Sequence, residues 1–322
     1  MQTPDATDWP IRIGISTCLL GERVRYDGGH KHDLFITETL GSYFYWVPTC
    51  PEVAIGLGIP RPPIRLESQG DGNRLVMSKH GTDLTRKMEV YARRRVRELE
   101  TEDLCGYLLK KQSPSCGMER VKVYASRGAP RRDGVGLFAK ELTARLPNLP
   151  VEEEGRLHDP RLRENWVERV FAYRRLRELL SRRFSIGRLV EFHTRHKFAL
   201  LAHSPTAYQQ LGRMVADAKS IRPAQLRADY ESRFMAALAT IATTRKNANV
   251  LQHIFGFFKK DLDRPAREEL LEKIEDYRQG YVPLVVPLTL IGHYVRLLDV
   301  AYLREQVYLN PHPKELALRN HV

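Results

Sequence analysis

The chain has 322 residues, more than one hydrophobic core usually organises, so the sequence predicts two domains. Hydrophobic residues make up 42% and charged residues 28%, proportions that exclude a largely disordered chain, and four scattered cysteines exclude a disulfide-stabilised scaffold. The formal net charge of +13 lies mostly in one half, because residues 1–155 hold 23 Lys and Arg against 21 Asp and Glu, whereas residues 156–322 hold 29 against 18.

Short apolar runs alternate with amphipathic helical patterns through the first half of the chain, as is typical of an α/β layer fold. Strands are predicted at residues 11–16, 43–47 and 106–109. Thr82 is the predicted N-cap of a helix that precedes the third strand. The apolar face of this helix consists of Met88, Ala92, Val96 and Leu99. We therefore expect an α/β domain over residues 1–155, with a small Rossmann-like sheet and flanking helices.

Helical patterns follow one another from Asp159 onward. Asp159 and Pro160 are residue types preferred at an N-cap and in a first turn, and they begin a helix that we expect to bridge the domains over residues 156–187. Further helices are predicted at residues 188–203, 206–219, 223–242, 246–260, 265–278 and 287–306. Residues 188–322 are therefore expected to form a basic all-α domain that binds a polyanion, the alternative being a solvated basic surface without a partner.

Two segments bear on cellular location. Residues 1–10 are polar, unlike a signal peptide. The most apolar run, residues 282–291, contains Pro283 and Pro287 and is shorter than the ~20 residues that a membrane span needs. Together with the scattered cysteines, these segments predict a reducing, cytoplasmic location and no membrane contact. No pattern indicates a protein partner.

Three cysteines share one kind of position, because Cys18, Cys50 and Cys116 each follow a predicted strand. Ligands gather at the carboxyl ends of the strands in an open α/β sheet, so three thiolates can share one site there. Without a Cys-x-x-Cys pair, spacing leaves three interpretations open: unrelated buried thiols, a zinc site with a fourth ligand, or a cubane iron–sulfur cluster with one open iron. Cys105, at the start of an apolar strand, is predicted to be structural.

Four motifs in the first half resemble the thiouracil desulfidase family and follow its order over residues 11–150. They are Cys18-Leu19-Leu20-Gly21, Val24-Arg25-Tyr26-Asp27-Gly28-Gly29, Cys50-Pro51-Glu52 with Ile55-Gly56-Leu57-Gly58, and Ser113-Pro114-Ser115-Cys116-Gly117. The second half is similar to the helical domain fused to that desulfidase in bacteria. Its matching motifs are His193-Thr194-Arg195-His196-Lys197, Tyr208-Gln209-Gln210-Leu211-Gly212, Asn249-Val250-Leu251-Gln252-His253, Gly256-Phe257-Phe258-Lys259 and Tyr302-Leu303-Arg304-Glu305-Gln306.

Together the two halves resemble the fused tRNA 4-thiouridine desulfidases. The resemblance implies that Cys18, Cys50 and Cys116 hold a [4Fe-4S] cluster with one iron not ligated by protein. It also implies non-redox chemistry, in which that iron accepts sulfur from 4-thiouridine in tRNA and water replaces it on carbon, leaving uridine and sulfide. Two other hypotheses stay open: a desulfidase for free thiouracil or thionucleosides, and a non-catalytic iron–sulfur RNA-binding or sensor protein.

Hydrolysis of a thiocarbonyl needs a base to activate water and a hydrogen-bond donor. Glu52, two residues beyond Cys50, is the predicted general base, with a loop-capping carboxylate as the alternative. Asp27, which precedes two glycines, is a second candidate to orient the water or the base edge, although an Asp in this position commonly forms a turn.

Two serines flank Cys116 and are candidates to donate hydrogen bonds to the substrate or to cluster sulfur. We assign Ser113 to catalysis and Ser115 to substrate binding, with a serine turn that closes on its own backbone as the alternative for both. The sequence does not decide which of the two serines acts in catalysis.

Basic side chains on three predicted helices are expected to contact RNA. On the helix at residues 246–260, Val250, Ile254 and Phe257 form one face. A second, polar face contains Gly256. A glycine in mid-helix costs ~1 kcal/mol of helix stability, so its presence favours a functional role such as contact with a nucleic-acid backbone. The predicted RNA contacts are Arg86, Arg93, Arg97, Lys197, Lys246, Asn249, His253 and Lys260. Three histidines on one predicted face, His193, His196 and His203, lack an accompanying carboxylate, so packing or RNA contact is favoured over a metal site.

Overall fold

A computed structural model describes residues 11–70, 72–181 and 184–321, so the polar segment at residues 1–10 lies outside the described part of the chain. The chain divides into two compact units between His158 and Asp159, close to the domain limit expected from the sequence. Within the described ranges, no helix combines the length and the apolar character that a membrane span requires.

Two sheets organise the first unit within the described ranges. In chain order the strands are β1 (Ile11–Ser16), β2 (Phe44–Thr49), β3 (Ile64–Gln69), β4 (Gly72–Met77), β5 (Leu104–Leu109), β6 (Val121–Tyr124), β7 (Arg131–Gly134) and β8 (Val151–Glu153). The first sheet has the order β2-β1-β5-β8 and is parallel throughout. Every residue of β5 is buried, as expected for a central strand of a parallel sheet covered on both faces. The three predicted strands and the α/β class are therefore confirmed.

The second sheet, with the order β4-β3-β6-β7, was not predicted from the sequence. Its strands β3 and β4 form an antiparallel hairpin, and β6 pairs in parallel with β3. Polar residues outnumber apolar ones in this hairpin, so its apolar alternation is weak. The buried side chains Leu66, Leu75, Val121 and Val123 nevertheless form a core between this sheet and the following helix.

Three helices flank these sheets. They are α1 (Pro51–Ala54), α2 (Thr85–Glu100) and α3 (Leu137–Arg145). The predicted apolar face of α2 is confirmed, because all four of its side chains are buried. The predicted N-cap, Thr82, is wrong: its carbonyl accepts from the Met77 N–H, so this segment still pairs with the end of β4, and Leu84 is the N-cap. The Asp83 carboxylate instead accepts from the Thr85 N–H at 2.8 Å.

The second unit is all-α in its described residues. Its helices are α4 (Pro160–Leu180), α5 (Ile186–His203), α6 (Pro205–Ala216), α7 (Pro223–Ala239), α8 (Thr244–Phe255), α9 (Arg264–Gln279), α10 (Val285–Leu297) and α11 (Ala301–Arg304). The Asp159 carboxylate caps α4 as predicted, accepting from the Arg161 and Leu162 N–H groups. Helix α4 packs on α5 and α7 and so belongs to this unit. The predicted helix at 287–306 is interrupted beside Asp299, whose φ of 53° is left-handed.

Helix α8 ends earlier than predicted, at Phe255, and Gly256 is its C-cap. Gly256 therefore does not lie in mid-helix, so the prediction of a functional role from the stability cost of a mid-helix glycine is wrong. Beyond the cap the chain turns, so Phe258 enters the core while Phe257 is 46% exposed and stacks on Tyr302. The predicted apolar face was thus wrong at Phe257.

Two of the three histidines considered for a metal site pack inside the second unit. His196 is buried, stacks on Phe192 and donates from Nδ1 to the Phe192 carbonyl. The His203 Nδ1–H donates to the Thr240 carbonyl at 2.6 Å, and its Nε2 lies 3.4 Å from Oε2 of buried Glu168. Glu168 and His203 therefore form a buried ion pair between α4 and α5.

The ionisation of this pair is coupled to folding. Burial alone would raise the pKa of Glu168, but the charge and hydrogen bond of His203 outweigh it and lower this pKa to about 2. Burial alone would lower the pKa of His203, but Glu168 and the Thr240 carbonyl outweigh it and raise this pKa above its usual 6.5. The contribution of Glu168 is present above its ordinary pKa of 4.5 and is lost as pH falls towards 2, and that of His203 is present below 6.5 and is lost as pH rises through its folded-state pKa.

We expect His203→Gln to destabilise the protein by about 3–5 kcal/mol near pH 6, because it leaves a buried carboxylate without its charged partner. The difference from the wild type should shrink as the pH rises through the folded-state pKa of His203, since the wild type then loses the imidazolium as well. Calorimetric melting of both proteins between pH 5 and 9 measures this. The double variant Glu168→Gln/His203→Gln is the control and should lose less than the two single variants add up to. A difference in stability between the wild type and His203→Gln that stays constant with pH would contradict the assignment of Glu168 and His203 as an ion pair.

Candidate active site

The three predicted cysteine ligands all lie at carboxyl ends of strands in the parallel sheet. Cys18 lies in a short 3₁₀ turn directly after β1, Cys50 follows β2 as the N-cap of α1, and Cys116 lies in the loop after β5. The three thiols are close enough to influence each other electrostatically, since Cys50 acts on Cys18 and both act on Cys116. All four cysteines are free thiols, and Cys105 is buried within β5.

Burial dominates the ionisation of these thiols. It raises the pKa of Cys18 to about 11, against the opposing effect of nearby Lys110 and Arg25, and it also raises the pKa values of Cys50 and Cys116. Two buried thiols and the half-buried Cys50, all with raised pKa values, become thiolates when a metal centre displaces their protons and compensates the charge. The donor set therefore fits a soft, thiophilic metal centre.

The arrangement distinguishes a single ion from a cluster. Among the described residues, no group of three or more His, Cys, Asp and Glu side chains is gathered closely enough to hold one metal ion. A cubane differs from zinc in this respect, because each cysteine binds a different iron and the sulfurs stay farther apart. The three cysteines are electrostatically coupled, as their mutual influence on ionisation indicates.

The loop that carries Cys116 is fixed by the start of α3. The carbonyl of Ser115 accepts from the Phe138 and Ala139 N–H groups at 2.9 and 3.2 Å, so it satisfies amides that the first turn of a helix leaves free. Gly136 packs directly behind this loop: a Cβ there would lie 2.5 Å from the Ser115 carbonyl. A side chain at position 136 would therefore displace the cysteine loop.

Glu52 is held by two partners beside the cysteines. Its Oε2 accepts from Arg61 Nη2 at 2.6 Å and from Arg61 Nε at 3.1 Å, and its Oε1 accepts from Ser115 Oγ at 2.7 Å. The Arg61 side chain is only 2% exposed, so the pair is formed largely away from water. Arg61 was not predicted from the sequence, because an arginine nine residues beyond Glu52 in a proline-rich loop shows no periodic relation to it.

The two serines have different surroundings. The Ser113 hydroxyl oxygen accepts from the N–H groups of Cys116 at 3.1 Å and Ser115 at 3.3 Å, which is the serine turn considered as the alternative. Ser115 is fully buried and its hydroxyl contacts both Glu52 and the Ser113 hydroxyl, 3.0 Å away. The structure thus places Ser115, more directly than Ser113, in contact with the predicted base.

Asp27 is exposed, and its carboxylate contacts other residues of its own loop. It accepts from the Gly29 N–H at 3.0 Å and lies 3.4 Å from Arg25 Nε. The Gly29 amide is the main reason that its pKa is lowered, with Arg25 adding to the effect. These contacts correspond to the turn that was considered as the alternative to a catalytic role.

The basic side chains predicted on α2 are exposed, and Arg93 lies beside Glu89. They are Arg86, Arg93 and Arg97. Another face of α2 approaches the cysteines, where burial raises the pKa of Tyr91 to about 12 and Cys116 and Cys50 act on it electrostatically. Beside Tyr91, Arg95 donates to the Thr49 hydroxyl at 3.3 Å.

The side chains of the second unit that are predicted to contact RNA differ in their exposure and in their existing contacts. Asn249 and His253 are exposed on α8, and Lys260 is exposed beyond the end of that helix. Lys246 is half-buried and its ammonium donates to the His203 carbonyl at 2.7 Å, so it also closes the end of α5. Lys197 is half-buried, 5.8 Å from the centre of the Phe198 ring.

Comparison with known proteins assigns both units. Residues 13–154 match the 2-thiouracil desulfurase family, and residues 197–313 match DUF1722, a protein family of unknown function. A relative in Escherichia coli, the uncharacterized protein YbgA, is 35% identical over 164 residues, which is 50% of this chain and 95% of the relative. A solved structure described as the [4Fe-4S]-dependent thiouracil desulfidase TudS shares 33% identity and a TM-score of 0.38, covering 46% of this chain and 94% of that one. The first unit therefore matches the 2-thiouracil desulfurase family, and the chain belongs to the YbgA-like DUF1722 family through its second unit.

Proposed function

We propose that this protein removes sulfur from 4-thiouridine in tRNA, leaving uridine and sulfide. The observation that carries the proposal is the hydrogen bond of 2.7 Å between Ser115 and Glu52, formed beside three strand-end cysteines. A carboxylate and a hydroxyl next to a soft metal centre are the groups that hydrolysis of a thiocarbonyl needs. The family of the first unit supports the same reaction class.

Cys18, Cys50 and Cys116 are the proposed ligands of a [4Fe-4S] cluster with one iron not ligated by protein. Such a cluster, when bound, supplies a soft Lewis acid for the thiocarbonyl sulfur. The cationic side chains of Lys110 and Arg25 favour the ionised thiolate of Cys18. Cys105 is left out of the proposed ligand set because it lies within β5 and not after a strand end.

Glu52 acts as the general base in this proposal. Arg61 holds Oε2 and compensates its charge, while Oε1 keeps a lone pair beside the one that accepts from Ser115. Water bound at Oε1 gives a proton to the carboxylate as its oxygen bonds to the thiocarbonyl carbon. Ser115 accepts this proton from Glu52 as it gives its own to the departing sulfur, which leaves as hydrosulfide, and the carbon-bound hydroxyl releases its remaining proton to solvent as the carbonyl of uridine forms. Neither carbon nor sulfur changes oxidation state, so no external electron donor is needed.

The charge of the second half supports a tRNA substrate. Residues 156–322 carry 29 basic against 18 acidic residues, an excess that suits phosphate contacts. Asn249 and His253 are exposed on one helix and Lys260 follows it, so these side chains are available to a partner. The free-base desulfidase and the iron–sulfur sensor are the alternatives that the following experiments separate.

Replacing any one of Cys18, Cys50 and Cys116 by Ala should remove the cluster, because a cubane held by three thiolates does not retain its position with two. Anaerobically purified wild type should contain about four irons per chain. Iron analysis and the absorbance of the brown protein measure this, and Cys105→Ala is the matched control that should keep both. Iron retained in all three variants, or one zinc per chain, would refute the ligand assignment.

Glu52→Gln should lower the single-turnover rate by roughly 10²- to 10⁴-fold, since it preserves the size of the side chain and one acceptor oxygen for Arg61 but removes the base. Loss of 4-thiouridine absorbance measures the rate, and iron content and tRNA affinity should change little. Glu38→Gln, an exposed carboxylate of the same unit, is the control. A fully active Glu52→Gln with an intact cluster would return the role to Asp27 or Ser113. A wild type that binds thiolated tRNA without converting it would favour the sensor.

Binding of the full chain to tRNA should weaken steeply with salt, because each neutralised phosphate releases counterions. Lys260→Gln should reduce the slope of log K against log salt by about one, and the exposed Lys219→Gln of the same unit is the control. Filter binding between 50 and 300 mM salt provides the measurement. Binding that does not depend on salt, or no binding, would favour the free-base desulfidase.

A further inference from the structure

A polar cavity of about 320 Å³ lies between the second sheet and the loop that leads to Cys116. Strands β3 and β6 contribute Arg65, Lys122 and Tyr124, and the loop contributes Gln112 and Pro114. Its volume is at the lower end of the ~300–1,000 Å³ typical of small-ligand sites, so it suits one nucleotide-sized group. The reaction proposed above uses none of these side chains.

The cavity adjoins the candidate active site through a single loop. Pro114 lines it, and the next residue, Ser115, bonds to Glu52. The Pro114 carbonyl accepts from the Leu137 N–H at 3.2 Å, so this loop is tied to α3 on both sides of the proline. The cavity and the Ser115–Glu52 hydrogen bond are therefore formed by neighbouring residues of one loop.

The lining groups suit a nucleotide. Lys122 is exposed, and within the described ranges its ammonium forms no ion pair or hydrogen bond, so its charge is available to a phosphate. The Arg65 guanidinium lies 5.2 Å from the centre of the Tyr124 ring and is held by Glu67, which keeps both planar groups in place. Nucleobases stack on aromatic rings and on guanidinium planes.

Gln112 supports the same interpretation. It lies directly before Ser113 at the rim of the cavity, with a left-handed φ of 58°. Its amide offers both donors and an acceptor, which suits the edge of a base.

We propose that this cavity binds the nucleotide joined to the thiolated one, with Lys122 at its phosphate and the Tyr124–Arg65 pair against its base. The inference rests on the proposed function and adds a specificity determinant inside the first unit itself. It makes the substrate a thiolated nucleotide within an RNA chain, because a free base or nucleoside leaves the cavity empty.

The kinetic test compares three substrates: 4-thiouridine, its 5′-monophosphate, and a trinucleotide with 4-thiouridine in the middle. Lys122→Gln should lower kcat/KM for the trinucleotide roughly 5- to 10-fold, and Tyr124→Leu by a similar factor, while both variants keep the wild-type value for the nucleoside. Lys140→Gln, an exposed lysine on α3, is the matched control. An equal loss on nucleoside and trinucleotide, or the same loss on monophosphate and trinucleotide, would overturn the assignment of the cavity to the neighbouring nucleotide.

A second measurement does not depend on activity. An unthiolated trinucleotide should protect Lys122, and not Lys140, from acetylation of the full-length protein, as quantified by mass spectrometry of its peptides. Equal labelling of Lys122 with and without the trinucleotide would overturn the proposal. A wild type that converts none of the three substrates and also leaves 4-thiouridine in full-length tRNA unconverted would refute the proposed function, whereas conversion with identical kcat/KM for nucleoside and trinucleotide would refute the cavity assignment alone.

Discussion

Parallel pairing of β1 with β2 and β5 is the constraint on which the candidate site depends. Because the three strands run in one direction, the residues that follow them lie at one edge of the sheet. Cysteines up to 98 positions apart in the sequence therefore lie close enough to act on one another electrostatically. Close approach of β1 to β5 requires Gly14, since a Cβ there would collide with the Tyr107 ring. The metal-binding chemistry thus depends on a packing contact that contains no ligand.

The charged side chains of Arg61 and Glu52 beside the cysteines are largely buried, unlike the exposed side chains on α8 that are predicted to contact RNA. The Arg61–Glu52 pair is largely shielded from water. A buried pair of this kind adds little net stability, but removing one partner destabilises the protein because the other charge is left buried and unpaired. Its effect is on orientation, because two donors of one rigid guanidinium fix one carboxylate oxygen and leave the other to face Ser115. The exposed side chains on α8 are solvated and can adapt to a partner, which suits contacts that bind rather than react.

The sequence was sufficient where local chemistry decides the structure. Asp159 capped its helix as predicted, and the three strand-end cysteines were identified because each strand is an apolar run followed by a turn. Thr82 failed as a cap because its carbonyl pairs with β4, which is a tertiary contact that no local pattern contains. The hairpin of β3 and β4 was missed because its residues are mostly polar and only Leu66 and Leu75 show which face is buried. Arg61 was missed for a related reason, since only the folded loop brings it to Glu52.

The amide contacts at the start of α3 have a consequence for how the site meets its substrate. Both Phe138 and Ala139 give their N–H groups to the carbonyl of Ser115, so moving this loop would strand two helix-end amides in a buried place, at a cost of about 1–3 kcal/mol each. The Ser115 hydroxyl and the Cys116 thiol are therefore preorganised, and substrate binding does not have to assemble them. The Pro114 and Gly117 carbonyls also accept from the Leu137 and Gly136 N–H groups, so this side of the candidate site is rigid before any substrate arrives.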